Sequence, residues 1–117
     1  MVNPTLRQEI MQLEADFCAA LSDPTRIFIL YALNERPLNV TELTNELGIP
    51  QPTTSRHLKV LRERGLVYTE RQGTMITYHL VDQRVTQALD LLRSAMRTRL
   101  TQQASLVEEV YLEEHKQ

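Results

Sequence analysis

Two helical segments separated by a three-residue turn constrain this chain more than any other feature. The first begins at Asn39, where Glu42 three positions later completes the sequence pattern of a capping box. Its apolar residues form one stripe, made of Val40, Leu43 and Leu47. A glycine ends this helix, residues 48–50 turn the chain, and a second helix is predicted over residues 51–64. This order matches a helix-turn-helix unit, whose second helix enters the major groove of DNA.

Two further helices are predicted before this unit. Apolar residues recur at helical spacing over residues 5–21, which predicts an amphipathic helix. Pro24 suits the first turn of a second helix, which Ser22 or Asp23 can cap and which runs to about Asn34. Because nearly all of its residues are apolar, we expect this helix to be buried on most sides.

The apolar periodicity changes after the helix-turn-helix unit. Residues 66–71 and 75–80 are rich in branched and aromatic side chains and predict two strands, joined by a short loop at residues 72–74. A long helical pattern follows over residues 83–115, and its apolar stripe thins enough around residues 98–103 to allow a break there. The expected fold class is therefore mainly α with a small β-hairpin (α+β).

Charge is distributed unevenly along a chain whose net charge is −2. Residues 51–71, which contain the second helix of the helix-turn-helix unit and the first strand, sum to +3, whereas residues 1–23 and residues 100–117 each sum to −3. A local basic stretch in an acidic protein indicates a localised anionic partner. The alternative is an ordinary solvated surface that carries both signs of charge.

The helix predicted over residues 51–64 has two distinct faces. Thr54, Leu58 and Leu61 lie within a narrow arc and are expected to face the core, and Arg56 and Lys59 lie roughly opposite. An arginine can fork onto a guanine edge, and a lysine suits a phosphate. The tip of the hairpin adds polar side chains beside a glycine. The candidate DNA contacts are Gln51, Thr53, Thr54, Ser55, Arg56, His57, Lys59, Arg71, Gln72 and Thr74.

Four stretches of the sequence together carry a family resemblance. They are Leu-Ser-Asp-Pro-Thr-Arg at residues 21–26, Gln-Pro-Thr-Thr-Ser-Arg-His-Leu-Lys-Val-Leu at residues 51–61, Gly-Leu-Val at residues 65–67 and Tyr-His-Leu at residues 78–80. Over roughly residues 15–95 the chain resembles the ArsR/SmtB family of winged-helix repressors. Pro50 stands where that family usually has a capping serine.

The resemblance implies a homodimer held by the first and last helices, which binds double-stranded DNA at a pseudo-palindromic operator and leaves it when an effector binds. It also implies one winged helix-turn-helix domain over residues 1–117. The parts of that domain are a first helix at residues 5–21, the helix-turn-helix plus wing at residues 24–80 and a last helix at residues 83–115. The residues expected at the dimer interface are Leu13, Phe17, Leu89, Leu92 and Met96. We therefore expect a sequence-specific DNA-binding transcriptional regulator that acts as a repressor.

Metal-sensing members of this family use two kinds of site, and neither ligand set is complete here. Asn39 and Thr41 occupy the positions of the family's Cys-x-Cys pair, and neither supplies a thiolate. The four positions of the site in the last helix hold Asp82, Arg84, Ala95 and Thr98. Of these, the aspartate matches a ligand, whereas an arginine repels a cation. We expect no metal site and no cofactor, and the sequence does not identify the effector.

Cys18 is the single cysteine of the chain, and two interpretations stay open for it. Because it follows Phe17 on an apolar helix, we expect a buried, inert thiol. The alternative is a redox-responsive regulator in which Cys18 forms a disulfide between protomers, since the first helix is expected to lie near the dimer axis.

Other classes of function fit the sequence less well. A winged-helix module that binds proteins without reading DNA is the main alternative, because both ends of the chain are acidic. An enzyme is not expected, because no nucleophile–base pair, phosphate-binding loop or metal set is visible. No export signal and no run of about 18 apolar residues occurs, so we expect a cytoplasmic protein.

Overall fold

A computed structural model describes residues 2–115 of the chain. The elements in order are α1 (Pro4–Leu13), a π turn (Glu14–Cys18), α2 (Pro24–Glu35), β1 (Leu38–Asn39), α3 (Val40–Leu47), α4 (Gln51–Glu63), β2 (Val67–Gln72), β3 (Met75–Leu80) and α5 (Arg84–Glu114). The chain divides into two compact units, one ending at Gln83 and the other beginning at Arg84. The helix-turn-helix and the hairpin both lie in the first unit.

The first helix forms as expected but contains an irregular segment. The side chain of Asn3 caps α1 by accepting a hydrogen bond from the backbone N–H of Leu6 at 2.7 Å, and a proline follows in the first turn. The helix continues through the π turn Glu14–Cys18, which the sequence pattern did not predict. No residue of Pro4–Leu13 is buried, so α1 exposes its apolar stripe.

The second helix supplies much of the core of the first unit. Asp23 caps α2, because its carboxylate accepts a hydrogen bond from the N–H of Thr25 at 2.8 Å. The buried residues of this helix are Ile29, Leu30 and Leu33. Phe28 is 59% exposed, so the expectation that α2 is buried on most sides is wrong for the face that carries this residue.

The predicted helix-turn-helix is confirmed. Asn39 and Glu42 form both hydrogen bonds of a capping box at the start of α3, and Gly48 ends that helix with a φ of 66°. A left-handed φ of this kind favours glycine, which explains the sharp turn before α4. Leu43 of α3 packs in the interior, as do Leu58 and Leu61 of α4.

The hairpin belongs to a slightly larger sheet. Within residues 2–115 the strand order is β1-β3-β2, and both pairings are antiparallel. The predicted loop at residues 72–74 is shorter than expected, because Gln72 pairs with Met75 and leaves a two-residue turn. Gly73 stands first in that turn with a φ of 62°, as a type II′ turn requires. The strand β1, paired at Leu38 with Tyr78, was not predicted.

The second unit consists of the long helix α5. It is continuous from Arg84 to Glu114, so the break allowed at residues 98–103 does not occur. Thr86 and Leu89 are its buried residues. Among the described residues, no helix is long and apolar enough to cross a membrane.

Candidate nucleic-acid interface

The polar face of α4 is open to solvent. Gln51, Ser55, Arg56 and Lys59 are exposed, and Thr53 is half-buried. Within residues 2–115, neither Arg56 nor Lys59 forms an ion pair with a carboxylate. Two cations without carboxylate partners, beside an exposed amide and hydroxyl on one helix, are available to phosphates and base edges.

Thr54 and His57 lie on the opposite side of α4, and their positions correct the sequence-based set of DNA contacts. Thr54 is fully buried, and its hydroxyl lies 3.1 Å from the hydroxyl of Thr44 and 3.3 Å from the carbonyl oxygen of Pro50. His57 is only 6% exposed. Both side chains therefore face the interior and are not part of the polar face that α4 opens to solvent.

His57 is held by an arginine from α2. Nη1 of Arg26 lies 3.2 Å from Nδ1 of His57. A guanidinium only donates hydrogen bonds, so Nδ1 accepts and the ring proton lies on Nε2. Burial lowers the pKa of His57 below its ordinary value of 6.5, the carboxylate of Asp23 opposes this shift, and the cations of Arg26 and Arg56 lower the pKa further. The imidazole is therefore neutral near pH 7 and serves as an acceptor.

The hairpin places a second group of polar side chains at its tip. Arg71, Gln72 and Thr74 are exposed there. Nε of Arg71 donates to the carbonyl oxygen of Gly73 at 3.0 Å, which orients the guanidinium and leaves its terminal N–H groups available. The tip of the wing thus presents one cation and two neutral polar groups.

A stacked pair of rings in the wing is not predicted by the sequence. The rings of Tyr68 and His79 stack across β2 and β3 with centroids 4.9 Å apart and planes 12° from parallel. Nε2 of His79 lies 3.6 Å from a carboxylate oxygen of Glu70. Cross-strand pairing of position 68 with position 79 creates this contact, and the sequence offers no signal of that register beyond the two strand patterns.

Cys18 is free and exposed, which corrects the expectation of a buried thiol. It lies in the π turn, where no residue is buried. In the described part of the chain, residues 2–115, no three side chains among the histidines, cysteines, aspartates and glutamates are grouped so that they could hold a metal ion. Asn39, at the first of the family's metal positions, uses its side chain to cap α3.

The apolar residues expected at a dimer interface fall into two groups. Leu13 and Phe17 on the first helix are exposed, as are Leu92 and Met96 on α5. Leu89 is only 8% exposed within the single chain. The first four residues are therefore free to meet a second copy, whereas Leu89 is already covered.

Comparison with known proteins gives a consistent picture. Residues 23–69 match the sequence model of a family described as bacterial regulatory protein, arsR family. An uncharacterized HTH-type transcriptional regulator of Methanocaldococcus jannaschii is 39% identical over 79 residues, which are 67% of this chain and 89% of that protein. The HTH-type transcriptional regulator NmtR of Mycobacterium tuberculosis is 45% identical over 71 residues, which are 61% of this chain. The match spans 59% of NmtR and 52% to 56% of two further mycobacterial regulators.

Solved structures agree with the sequence relatives. The crystal structure of the transcriptional repressor BigR from Xylella fastidiosa superposes with a TM-score of 0.65 at 34% identity. The superposition covers 76% of this chain and 94% of BigR.

Proposed function

Because the chain belongs to the ArsR family of bacterial regulatory proteins, we propose that it is a homodimeric repressor that binds a pseudo-palindromic operator and leaves it when an effector binds. Its relatives are helix-turn-helix transcriptional regulators, not enzymes. The observation that supports DNA readout most directly is the exposed pair Arg56 and Lys59 on α4, neither of which is held by a carboxylate in the described chain.

On this proposal α4 lies in the major groove and the wing lies on the adjacent backbone. Arg56 reads a guanine edge with its forked donors, and Lys59 binds a phosphate. Three smaller polar side chains of α4 also contact base edges or phosphates, namely Gln51, Thr53 and Ser55. The wing contributes Arg71, Gln72 and Thr74. Thr54 and His57 act from the interior and contact no DNA.

The proposed dimer buries apolar residues that the single chain leaves in water. Each of the two terminal helices exposes such residues, with Leu13 and Phe17 on the first and Leu92 and Met96 on α5. A two-fold axis presents two copies of α4 to one side of a duplex, and this symmetry requires an operator with matching half-sites. A DNA partner of this kind places the protein in the cytoplasm.

This proposal assigns the effector to no metal site. Residues 2–115 hold no cluster of metal-binding side chains, and positions 39 and 41 carry an amide and a hydroxyl. Release from the operator then requires a ligand or modification that favours a dimer geometry poorly matched to DNA.

Exposure of Cys18 supports a second candidate for release, which is oxidation. Treating the dimer with diamide would convert two thiols to one disulfide between protomers, and the diamide would take up two protons and two electrons. A Cys18→Ser variant would stay monomeric on non-reducing gels and remain on DNA in the presence of diamide. Wild-type protein that stays reduced, or that keeps its DNA affinity when oxidised, would contradict this route.

The test of the main proposal begins with duplexes selected from a randomised library by the wild-type protein. Arg56→Ala should bind the selected duplex about tenfold more weakly or worse, because a bidentate base contact contributes about 1–3 kcal/mol. Arg36→Ala is the matched control, because Arg36 is an exposed arginine that pairs with Glu42 away from α4. Its affinity should match wild type.

Two outcomes would contradict the proposal. Equal affinities of Arg56→Ala and wild type would show that α4 does not read DNA. A triple charge reversal at Arg56, Lys59 and Arg71 that leaves function intact would favour a protein-binding module instead.

A further inference from the structure

Arg26, near the start of α2, joins the end of the first helix to the recognition helix α4. Its Nε donates to the carbonyl oxygen of Ala20 at 2.6 Å, and a terminal nitrogen lies 3.4 Å from the carbonyl oxygen of Ala19. The other terminal nitrogen donates to Nδ1 of His57 at 3.2 Å. We propose that Arg26 is a positioning residue for DNA binding, which fixes the angle between α1 and α4 and so sets the half-site spacing that the dimer accepts. This inference rests on the proposed dimeric DNA-binding function.

The geometry uses all three nitrogens of the guanidinium. The last carbonyl groups of a helix lack partners within it and carry the negative end of the helix dipole. With one edge Arg26 reaches the carbonyl oxygens of Ala20 and Ala19, the second of which also accepts from the hydroxyl of Ser22 at 2.7 Å, and its remaining nitrogen reaches α4. A lysine offers one compact ammonium and cannot serve these three acceptors in a fixed plane.

The first helix has few other attachments to the winged-helix body. No residue of Pro4–Leu13 or of the π turn Glu14–Cys18 is buried, so apolar packing within the chain does not fix the direction of this helix. Ala20, whose carbonyl receives Nε of Arg26, is the first fully buried residue along the described chain. The direction of α1 is therefore set at this junction, where Arg26 lies.

A second, weaker contact joins the same two helices. Nη1 of Arg64, the C-cap of α4, lies 3.5 Å from a carboxylate oxygen of Asp16. Both side chains are substantially exposed, and exposed pairs contribute little to stability. His57 and Arg64 are seven positions apart and share one side of α4, so both contacts hold the same side of the helix against the end of the first helix.

The consequence follows from the symmetry of a dimer held by its terminal helices. If α1 lies at the dimer interface, the angle between α1 and α4 determines the separation of the two recognition helices. Half-sites are recognised together only when that separation matches the helical repeat of DNA. Without Arg26, each α4 keeps its own DNA contacts, but the two copies are no longer held at one distance.

The first test measures the angle without DNA. Spin labels are placed at Gln8→Cys on α1 and Glu63→Cys on α4 in a Cys18→Ser background, and labelled chains are mixed with excess unlabelled protein. Pulsed dipolar spectroscopy should give one narrow distance distribution in this parent. The distribution should broaden in Arg26→Gln and stay narrow in the control Arg36→Gln, which removes an arginine at the far end of α2.

Two variants at His57 separate the hydrogen bond from the packing. His57→Gln keeps an acceptor for Arg26 and should keep the narrow distribution. His57→Leu fills similar space without an acceptor and should broaden it as Arg26→Gln does. Thermal melts identify any variant that does not fold, and the His57 pair supplies the test if Arg26→Gln is such a variant.

The second test uses DNA. Duplexes carry the selected operator, the same half-sites moved one base pair closer or farther apart, or a single half-site. Arg26→Gln and His57→Leu should lose about tenfold or more on the selected operator, and no more than about twofold on the half-site, because only the linkage of two binding events is lost. The affinities of these two variants for the three half-site spacings should differ less than those of wild type.

The outcomes separate this inference from the proposed function. A wild-type protein that selects no duplex would contradict the function, and the distance distributions would still test Arg26. Unchanged distributions in Arg26→Gln and His57→Leu would overturn the inference, and so would operator and half-site affinities that fall by the same factor.

Discussion

The hydroxyl of Thr44 in α3 donates to the hydroxyl of Thr54 in α4 at 3.1 Å, across the turn of the helix-turn-helix. The hydroxyl of Thr54 in turn donates to the carbonyl oxygen of Pro50 at 3.3 Å. No side chain caps α4 at its N-terminus, because Pro50 occupies the cap position. A part-buried pair of hydrogen bonds therefore fixes the start of α4, where a capping side chain is absent.

Replacing Thr54 with valine tests this pair of hydrogen bonds. Valine has nearly the same shape, so the change removes the hydroxyl and leaves packing intact. We expect a loss of about 1 kcal/mol in the free energy of unfolding, measured by urea denaturation. Thr41→Val, at an exposed site of α3, should change stability by less than about 0.5 kcal/mol. Weaker DNA binding by folded Thr54→Val at unchanged stability would instead indicate a direct DNA contact.

The salt dependence of DNA binding tests the role of Lys59. Each phosphate that a cation neutralises steepens the logarithmic salt dependence by about 0.9. Lys59→Gln should therefore reduce the slope of log affinity against log salt by about one for each lysine–phosphate contact that is lost. Fluorescence anisotropy over a series of salt concentrations measures this slope. Arg7→Gln removes an equal charge from α1 and should leave the slope unchanged. A slope that Lys59→Gln does not alter would place this lysine away from the phosphates.

The environment of His57 predicts a loss of stability in mild acid. Burial lowers the pKa of this histidine in the folded chain, the carboxylate of Asp23 opposes the shift, and the cations of Arg26 and Arg56 add to it. The unfolded chain, with a histidine pKa near 6.5, then binds more protons than the folded chain as pH falls. The contribution of His57 to stability is present above pH 6.5 and is lost as pH falls from there through its folded pKa.

Urea midpoints at several pH values between 7.5 and 5 measure this effect. The urea midpoint of His57→Gln should fall less between pH 7.5 and pH 5 than that of wild type, because glutamine does not titrate. His115→Gln is the control, since it removes an exposed histidine at the end of α5 and should retain the wild-type decrease. Equal decreases in wild type and His57→Gln would assign the acid sensitivity to other groups.

The parts of the fold that the sequence predicts are those whose determinants are local. The capping box of Asn39 and Glu42 and the left-handed Gly48 act within a few residues, so their pattern predicts the bounds of α3. The strand β1 was not predicted, because Leu38 and Asn39 become a strand only by pairing with β3, far along the chain. A two-residue strand carries no alternation of its own.

In the candidate site, too, the local sequence pattern predicts some features and long-range contacts determine the others. The helical period correctly placed Arg56 and Lys59 on the exposed side of α4. It also contained the signal for His57, which lies three residues after Thr54 and four before Leu61 and so shares their buried side. Its partner Arg26 is 31 residues away, and no local pattern connects the two. Cys18 is exposed in the single chain because no residue of the π turn that carries it is buried, and an apolar sequence pattern alone does not say what covers a helix.

The capping box itself offers a direct stability test. Asn39 accepts a hydrogen bond from the N–H of Glu42 at 2.8 Å, and the carboxylate of Glu42 accepts one from the N–H of Asn39 at 3.0 Å. Asn39→Ala should lower the free energy of unfolding by about 1 kcal/mol, because it leaves donors of the first turn of α3 without a partner. Asn45→Ala removes an exposed asparagine from the same helix and should have little effect or stabilise it slightly. Equal effects would mean that the cap contributes nothing beyond helix propensity.

Exposure along α5 separates residues of the proposed dimer interface from residues of the fold. Met96 is 49% exposed, so its side chain is free to pack against a second copy, whereas Leu89 is 8% exposed and already covered. Met96→Glu should convert the dimer to a folded monomer in sedimentation, because a carboxylate buried in an apolar interface has no partner to offset its desolvation.

The control for the interface variant lies two residues away on the same helix. Ser94 points about 160° away from Met96 by the step of about 100° per residue, and it is exposed. Ser94→Glu adds the same charge to α5 and should remain dimeric. If Met96→Glu also remains dimeric, the exposed side of α5 does not hold the protomers together, and Leu13 and Phe17 of the first helix become the residues to test next, because they expose apolar surface that the single chain leaves uncovered.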